Sequence, residues 1–304
     1  VRTATVAAVV VGGGLLVAAT VGAWWMFKRP LTVLEWSSRR ALAKAGLTAS
    51  EIPSAAGPQT AWRGGQGPTL VLLHGAGDHA GSWALVAKEL SAQYTLVIPD
   101  LAGHGRSFPR TGPIHVADVL TGLEAVVGGE ARLGPVTVVG NSLGGWMALL
   151  LAHRHPEWFE RAVVISGGAI RGQNTQVKVI PSTREEARAT VAATRDPASP
   201  PVPDFVLDDI VRNAQRGPLG RFAATAAGMG DYLLDGRLHE VQVPVELVWG
   251  ESDRLMPLDY ARRLAEGLPR ARLTTIPRCG HVPQVECPAA LVATLRHVLG
   301  GEGP

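Results

Sequence analysis

Six short apolar runs recur along the chain: Thr69–Leu73, Thr95–Ile98, Val136–Val139, Ala162–Ile165, Val245–Val248 and Leu273–Ile276. Each lacks the polar alternation of a half-exposed strand, and segments of helical pattern separate them. Unbroken apolar strands are buried on both faces. Their alternation with helices predicts an α/β fold, with a mostly parallel sheet covered by helices on either side. In open sheets of this kind, sites form beyond the carboxyl ends of the strands.

The alternation breaks once. Between Ser166-Gly167-Gly168 and Val243 no strand is evident, and helical patterns appear around Thr183–Thr194, Pro203–Gln215 and Gly220–Met229. Pro197 and the Pro200-Pro201 pair separate them. Such a helical block between two strands reads as a cap over a site, at about residues 170–235.

The amino-terminal part follows another pattern. Thr3 to Phe27 carry no charge, and Trp24 and Trp25 precede Lys28 and Arg29. The run exceeds the roughly 20 residues a membrane-crossing helix needs, and aromatic residues followed by cations suit an interface. Residues 1–29 are therefore expected to form a transmembrane anchor. Gly14, Ala18 and Gly22 have the small-residue spacing of paired membrane helices. A cleaved signal segment, with Arg2 as its basic start and Val21-Gly22-Ala23 as its cleavage site, is the alternative. Residues 30–66 read as a basic amphipathic helix, Leu31–Leu47, lying near the membrane surface, then a linker with a short strand around Gln59–Arg63. The main domain spans 67–300. Cations after the anchor outnumber those before it, which places the domain in the cytoplasm. Signal cleavage would make it periplasmic or secreted instead.

Composition narrows the class. The 304 residues have room for one large α/β domain or two small ones, and the net charge of +3 is too small for a nucleic-acid partner. Residues 1–50 carry +5 and the rest −2, so the basic excess lies beside the apolar run. The two cysteines, Cys279 and Cys287, read in the first place as free thiols of a reducing compartment, with a local bridge between them left open. No metal-ligand spacing and no cofactor motif occurs, and oligomeric state is not encoded in any pattern.

The chemistry centres on Gly140-Asn141-Ser142-Leu143-Gly144-Gly145, which follows a strand and opens a helix. A Gly-x-Ser-x-Gly in that setting is a nucleophile elbow: a tight, strained turn that leaves the serine hydroxyl at its tip. The pattern demands an acid, a histidine and an oxyanion hole. Asp253 in Trp249-Gly250-Glu251-Ser252-Asp253 is the acid, with Glu251 as a rival. His281 in Cys279-Gly280-His281 is the base. The Leu143 amide and the Ala76 amide, the latter in the His74-Gly75-Ala76-Gly77 loop, are the oxyanion donors. His74 braces that loop. Asp100 to Ser107 shapes the neighbouring loop without a catalytic role. His153 and His155 suit the carboxyl end of their helix, and His79, His115, His239 and His297 have no catalytic setting.

The order Ser142, Asp253, His281, together with the HGAG, GNSLGG, WGESD and CGH segments, resembles the α/β-hydrolase family from about Pro68 to Leu299. The resemblance implies that fold, a Ser-His-Asp triad and a cap between the sixth and seventh strands. GNSLGG and the capped layout look like meta-cleavage-product hydrolases. An amino-terminal membrane helix with a capped triad looks like membrane-anchored monoacylglycerol lipases. Ser142 argues against dehalogenases and most epoxide hydrolases, which use an aspartate nucleophile. The expected function is cleavage of a carboxylic ester, of a small molecule or an amphipathic lipid, without metal or cofactor. The alternatives are C–C bond hydrolysis, which needs an arginine such as Arg171, Arg184, Arg188 or Arg221 for a substrate carboxylate, haloperoxidase-like activity, and a non-catalytic binding protein on this fold.

Overall fold

The computed structural model describes residues 20–22, 24–172 and 176–300. Residues 24–28 are helical and lead into α1 (Pro30–Lys44). The sheet has eight strands: β1 (Thr48–Ile52), β2 (Gln59–Gly65), β3 (Thr69–Leu73), β4 (Thr95–Pro99), β5 (Val136–Asn141), β6 (Phe159–Ile165), β7 (Val245–Gly250) and β8 (Ala271–Ile276). Their spatial order is β1-β2-β4-β3-β5-β6-β7-β8. β1 and β2 pair antiparallel, as do β2 and β4, and every other neighbouring pair is parallel. The α/β class and the mostly parallel sheet agree with the six apolar runs.

Burial on both faces explains those runs. Along β3, Leu70 and Leu72 point into one apolar cluster while Val71 and Leu73 point into the other, and all four are fully buried. Each such side chain contributes about 1.5–3 kcal/mol by leaving water. One cluster joins the sheet to α3 (Val116–Ala131), α4 (Leu143–Arg154) and α8 (Leu258–Gly267). The other joins it to α1, α2 (Ala84–Leu90) and α10 (Pro288–Gly300).

The stretch read as a linker departs from expectation. Thr48–Ile52 forms edge strand β1, whose residues are almost all exposed, so no apolar run marks it. Nor does α1 stand apart from the domain. Leu42 is fully buried in the second cluster, while Leu34 and Trp36 on the outer face are 61% and 60% exposed.

Between β6 and β7 lie α5 (Arg184–Ala193), α6 (Asp204–Ala214), α7 (Pro218–Ala223) and two short 3-10 turns. Thr183 caps α5 by accepting the Glu186 amide at 3.2 Å. In α6 the buried Asp209 carboxylate accepts from Leu31 N–H at 3.1 Å and from Arg212 at 3.0 Å, which fastens α1 to this block. After α8 the chain closes with β8, the single turn α9 (Pro283–Glu286) and α10. Most of the uncharged run Thr3–Phe27 lies outside the described residues, and with it the expected anchor. Among the described residues no helix is long and apolar enough to cross a membrane.

Candidate active site

β5 ends at Asn141 and α4 begins at Leu143, so the chain reverses at Ser142 alone. Ser142 has φ 53° and ψ −114°, a left-handed conformation that costs a residue with a side chain on the order of 1–3 kcal/mol. Two glycines make the reversal sterically possible. A Cβ on Gly140 would lie 2.2 Å from the Gly144 carbonyl carbon, and one on Gly144 would lie 2.4 Å from the Leu73 oxygen. The turn is held by Ser142 N–H donating to Ile165 O at 2.9 Å and Trp146 N–H donating to Ser142 O at 3.0 Å. The Ser142 side chain is half-buried, and its hydroxyl is neither bonded to a described protein group nor sealed from solvent.

Asp253 and His281 come together although 28 residues separate them. The Asp253 carboxylate lies 2.8 Å from His281 Nδ1 through Oδ2, while Oδ1 accepts from the Leu255 and Met256 amides at 3.0 and 2.9 Å. Both residues are buried. An ionised Asp253 makes Nδ1 the protonated nitrogen and leaves the Nε2 lone pair available. The rival acid is elsewhere: Glu251 is exposed and accepts the Thr275 hydroxyl at 2.8 Å. No hydrogen bond joins Ser142 to His281 in this structure, and such bonds commonly tighten only with substrate present.

The two expected oxyanion donors flank the serine. Leu143 is the first residue of α4, where an amide has no partner within the helix. The loop after β3 runs alongside, and a Cβ on Gly75 would sit 3.3 Å from Ser142 Cβ. Ala76 follows in that loop, and its amide donates to no described protein group. His74 braces the loop from beneath. Its Nδ1 donates to Gly75 O at 2.8 Å and its Nε2 accepts from Leu101 N–H at 3.0 Å, so the ring is neutral. Burial, and then the nearby His104, hold its pKa well below the usual imidazole value. The next loop is organised by buried Asp100, which accepts the Ala80 and Arg106 amides, each at 2.8 Å. Arg39 of α1 reaches Asp100 at 3.6 Å.

Several residues of the site carry no motif. Asn141 Nδ2 donates to His281 O at 2.8 Å, and its Oδ1 accepts from Gln284 Nε2 at 2.9 Å, so the residue before the serine holds the histidine loop. Thr194, at the end of α5, accepts His281 N–H at 2.8 Å. The cysteines correct the sequence reading: Cys279 and Cys287 are joined in a disulfide that brackets His281. Their Cα atoms lie 6.0 Å apart, a bridgeable separation that spacing along the chain does not reveal.

On α4, Trp146 Nε1 donates to Tyr232 O of the block between β6 and β7 at 3.0 Å. Ile170, Phe222, Met229, Leu233, Leu255 and Met256 belong to the same apolar cluster as Leu143 and Trp146. Three of the four arginines considered for a substrate carboxylate are already paired. Arg221 donates to the Gly103, Pro109 and Gly112 carbonyls, Arg184 binds Asp204 and Asp208, and Arg188 binds Asp204. Arg171 is exposed. A cavity of about 620 Å³ between Arg161, Glu246, Arg272 and His297 lies at the amino ends of β7 and β8, away from Ser142.

Residues 70–294 match the model of the alpha/beta hydrolase family. A 2-hydroxy-6-oxononadienedioate/2-hydroxy-6-oxononatrienedioate hydrolase of Burkholderia vietnamiensis is 30% identical over 241 residues, covering 71% of this chain and 82% of that one. A pimeloyl-[acyl-carrier protein] methyl ester esterase of Nitrosomonas europaea is 29% identical over 250 residues, covering 75% and 94%. Among solved structures, a bacterial membrane phospholipase A superposes with a TM-score of 0.72 at 24% identity, covering 95% of this chain and 97% of that one. The chain belongs to the alpha/beta hydrolase family and is a hydrolase of that type.

Proposed function

We propose that the protein hydrolyses a carboxylic ester through an acyl-enzyme on Ser142. The observation that carries this reading is the buried Asp253–His281 pair at 2.8 Å, formed beyond the same strand ends as the Ser142 elbow. His281 Nε2 takes the hydroxyl proton as Ser142 Oγ attacks the ester carbonyl. The Leu143 and Ala76 amides receive the charge on the carbonyl oxygen, and Asp253 balances the imidazolium. The proton then passes to the departing alcohol. Water, deprotonated by the same imidazole, releases the acid. Ser142→Ala should abolish turnover of a short p-nitrophenyl ester and labelling by a fluorophosphonate probe. Labelling of that variant at the wild-type rate would remove Ser142 as nucleophile.

The relatives also support a second reading, C–C hydrolysis of a vinylogous diketo acid. Ester cleavage is favoured because the surroundings of Leu143 and Trp146 are apolar and Arg184, Arg188 and Arg221 are engaged with other groups. Faster turnover of a meta-cleavage dienoate than of a monoacylglycerol would reverse that choice.

The uncharged run ahead of Lys28 supports a membrane anchor, with the outer face of α1 beside the bilayer. The disulfide favours an oxidising compartment, so the domain is proposed to lie on the non-cytoplasmic side, against the cytoplasmic side that the cation count favoured. Release of the full chain from membranes by alkaline carbonate would count against the anchor. Labelling of Cys279 and Cys287 by maleimide in intact cells without prior reduction would count against the compartment.

A further inference from the structure

The segment that leaves α5, Thr194–Ser199, touches the loops of both Asp253 and His281. On the acid side, Ser252 donates its hydroxyl to Asp196 Oδ2, and Arg254 N–H donates to Ala193 O at 2.9 Å. The Ser252 hydroxyl holds the Asp196 carboxyl below its usual pKa. On the base side, His281 N–H donates to Thr194 O at 2.8 Å. Glu286 completes the junction. Its Oε2 accepts Gly280 N–H at 2.6 Å, and its Oε1 accepts Asp196 N–H at 2.8 Å and the Ser199 hydroxyl at 2.5 Å. The Glu286 side chain is only 6% exposed, and Arg195 Nε is its nearest cation at 3.9 Å. Contact is close throughout: a Cβ on Gly280 would meet Thr194 O at 2.3 Å, Arg195 Cα at 2.8 Å and Glu286 Oε2 at 2.8 Å.

We infer that Glu286 is a positioning residue for His281, tying the histidine loop to the root of the cap. A buried carboxylate that accepts three donors holds them by charge-assisted bonds, stronger than neutral ones. One donor is the amide adjacent to His281, and the other two belong to the cap segment. Displacement of that segment therefore moves the imidazole against Ser142, and the cap and the base act as one unit. The inference rests on the serine-hydrolase reading.

The test uses the full chain. Kinetics on a p-nitrophenyl ester and amide hydrogen exchange are measured for wild type, Glu286→Ala, Glu286→Gln and Ser199→Ala. Glu286→Ala should lower kcat by about 10–100-fold with KM within about threefold, since misplacing a reacting group costs that much without weakening substrate binding. Exchange at Gly280 and His281 should rise together with exchange at Asp196. Glu286→Gln keeps one carbonyl acceptor and should recover part of kcat. Ser199→Ala, which removes a single donor, should fall between wild type and Glu286→Ala, and it carries the test if Glu286→Ala does not fold. A folded Glu286→Ala with wild-type kcat, or a loss confined to KM, overturns the inference. So does faster exchange in Ser199→Ala with no change in kcat. Failure of the wild type itself to react with a fluorophosphonate would remove the serine-hydrolase reading, and this inference with it, and is seen on a separate sample.

Discussion

The Ser142 elbow and the Asp253–His281 arm achieve the same end, a fixed local geometry, by different means. At the elbow the constraint is local and steric. Six consecutive residues set it, and glycines stand where a Cβ would collide with backbone. The arm is assembled from distant pieces: the ends of β7 and β8, the segment that leaves α5, Asn141 beside Ser142, and a disulfide. Its constraint is hydrogen bonding between segments far apart in sequence. A local steric device announces itself in the sequence, whereas a non-local polar one does not.

The largest effects should come from removing either device outright. Asp253→Asn replaces the acceptor facing His281 Nδ1 and permits the wrong imidazole tautomer. A fall of roughly 10⁴-fold in kcat is expected with the fold intact. A loss under tenfold, measured on the same ester, would mean that Asp253 does not orient the base. Gly144→Ala attacks the elbow. Its Cβ would lie 2.4 Å from Leu73 O, a backbone atom at the end of a central strand. Overpacking of that kind costs about 1–3 kcal/mol or more. Urea denaturation should show destabilisation, with activity lost in the fraction that remains folded. Full stability and activity would show that the turn is less tight than its geometry.

The same division explains what could be read from the residues alone. Strands β3 to β8 were legible because burial on both faces forces unbroken apolar runs. The turn at Ser142 and the meeting of Asp253 with His281 were legible by offset from strand ends. β1 was not legible, since an exposed edge of Thr48-Ala49-Ser50-Glu51 has no pattern to show. Docking of α1 was hidden because its inner and outer faces both carry apolar residues, and only contact with the second cluster shows that Leu42 is inside and Trp36 outside. Gln284 and Thr194 act through partners tens to well over a hundred residues away, and Glu286 joins the nearby Gly280 amide to the distant Asp196 and Ser199, so no spacing encodes the junction. The cysteines misled for a related reason: a bridge depends on the turn that α9 makes between them, and composition carries no trace of it.

Smaller effects should separate the arm's covalent part from its polar part. Replacing both Cys279 and Cys287 by Ser opens a short ring, for which chain entropy gives about 2–3 kcal/mol of lost stability. If hydrogen bonds to Thr194, Asn141 and Glu286 hold His281, the double variant should keep most of its kcat at a temperature where it is folded. A collapse of kcat in a folded double variant would shift the burden from the polar contacts to the bridge.

The elbow's neighbour supplies the smallest effect, and it is set by pH. His104 is buried beside His74, and burial lowers its pKa to about 4. Its Nδ1 donates to Ala102 O at 3.0 Å, and Nε2 is buried without a partner, so protonation would strand an N–H away from water. In the unfolded chain the same ring titrates near 6.5. The folded value is the lower one. Its contribution to stability is therefore complete above pH 6.5 and is lost as pH falls toward 4. Between pH 7 and pH 5 this amounts to about 2 kcal/mol. His74, held low for the same reason, adds to the loss. Urea denaturation of wild type and His104→Asn at the two pH values isolates the term, because asparagine can keep a donor for Ala102 O without titrating. The variant should lose about 2 kcal/mol less than wild type on acidification. Equal losses would mean that His104 is hydrated or charged in the folded protein, and that the loop of His74 and Ala76 is held by something other than a dry pair of imidazoles.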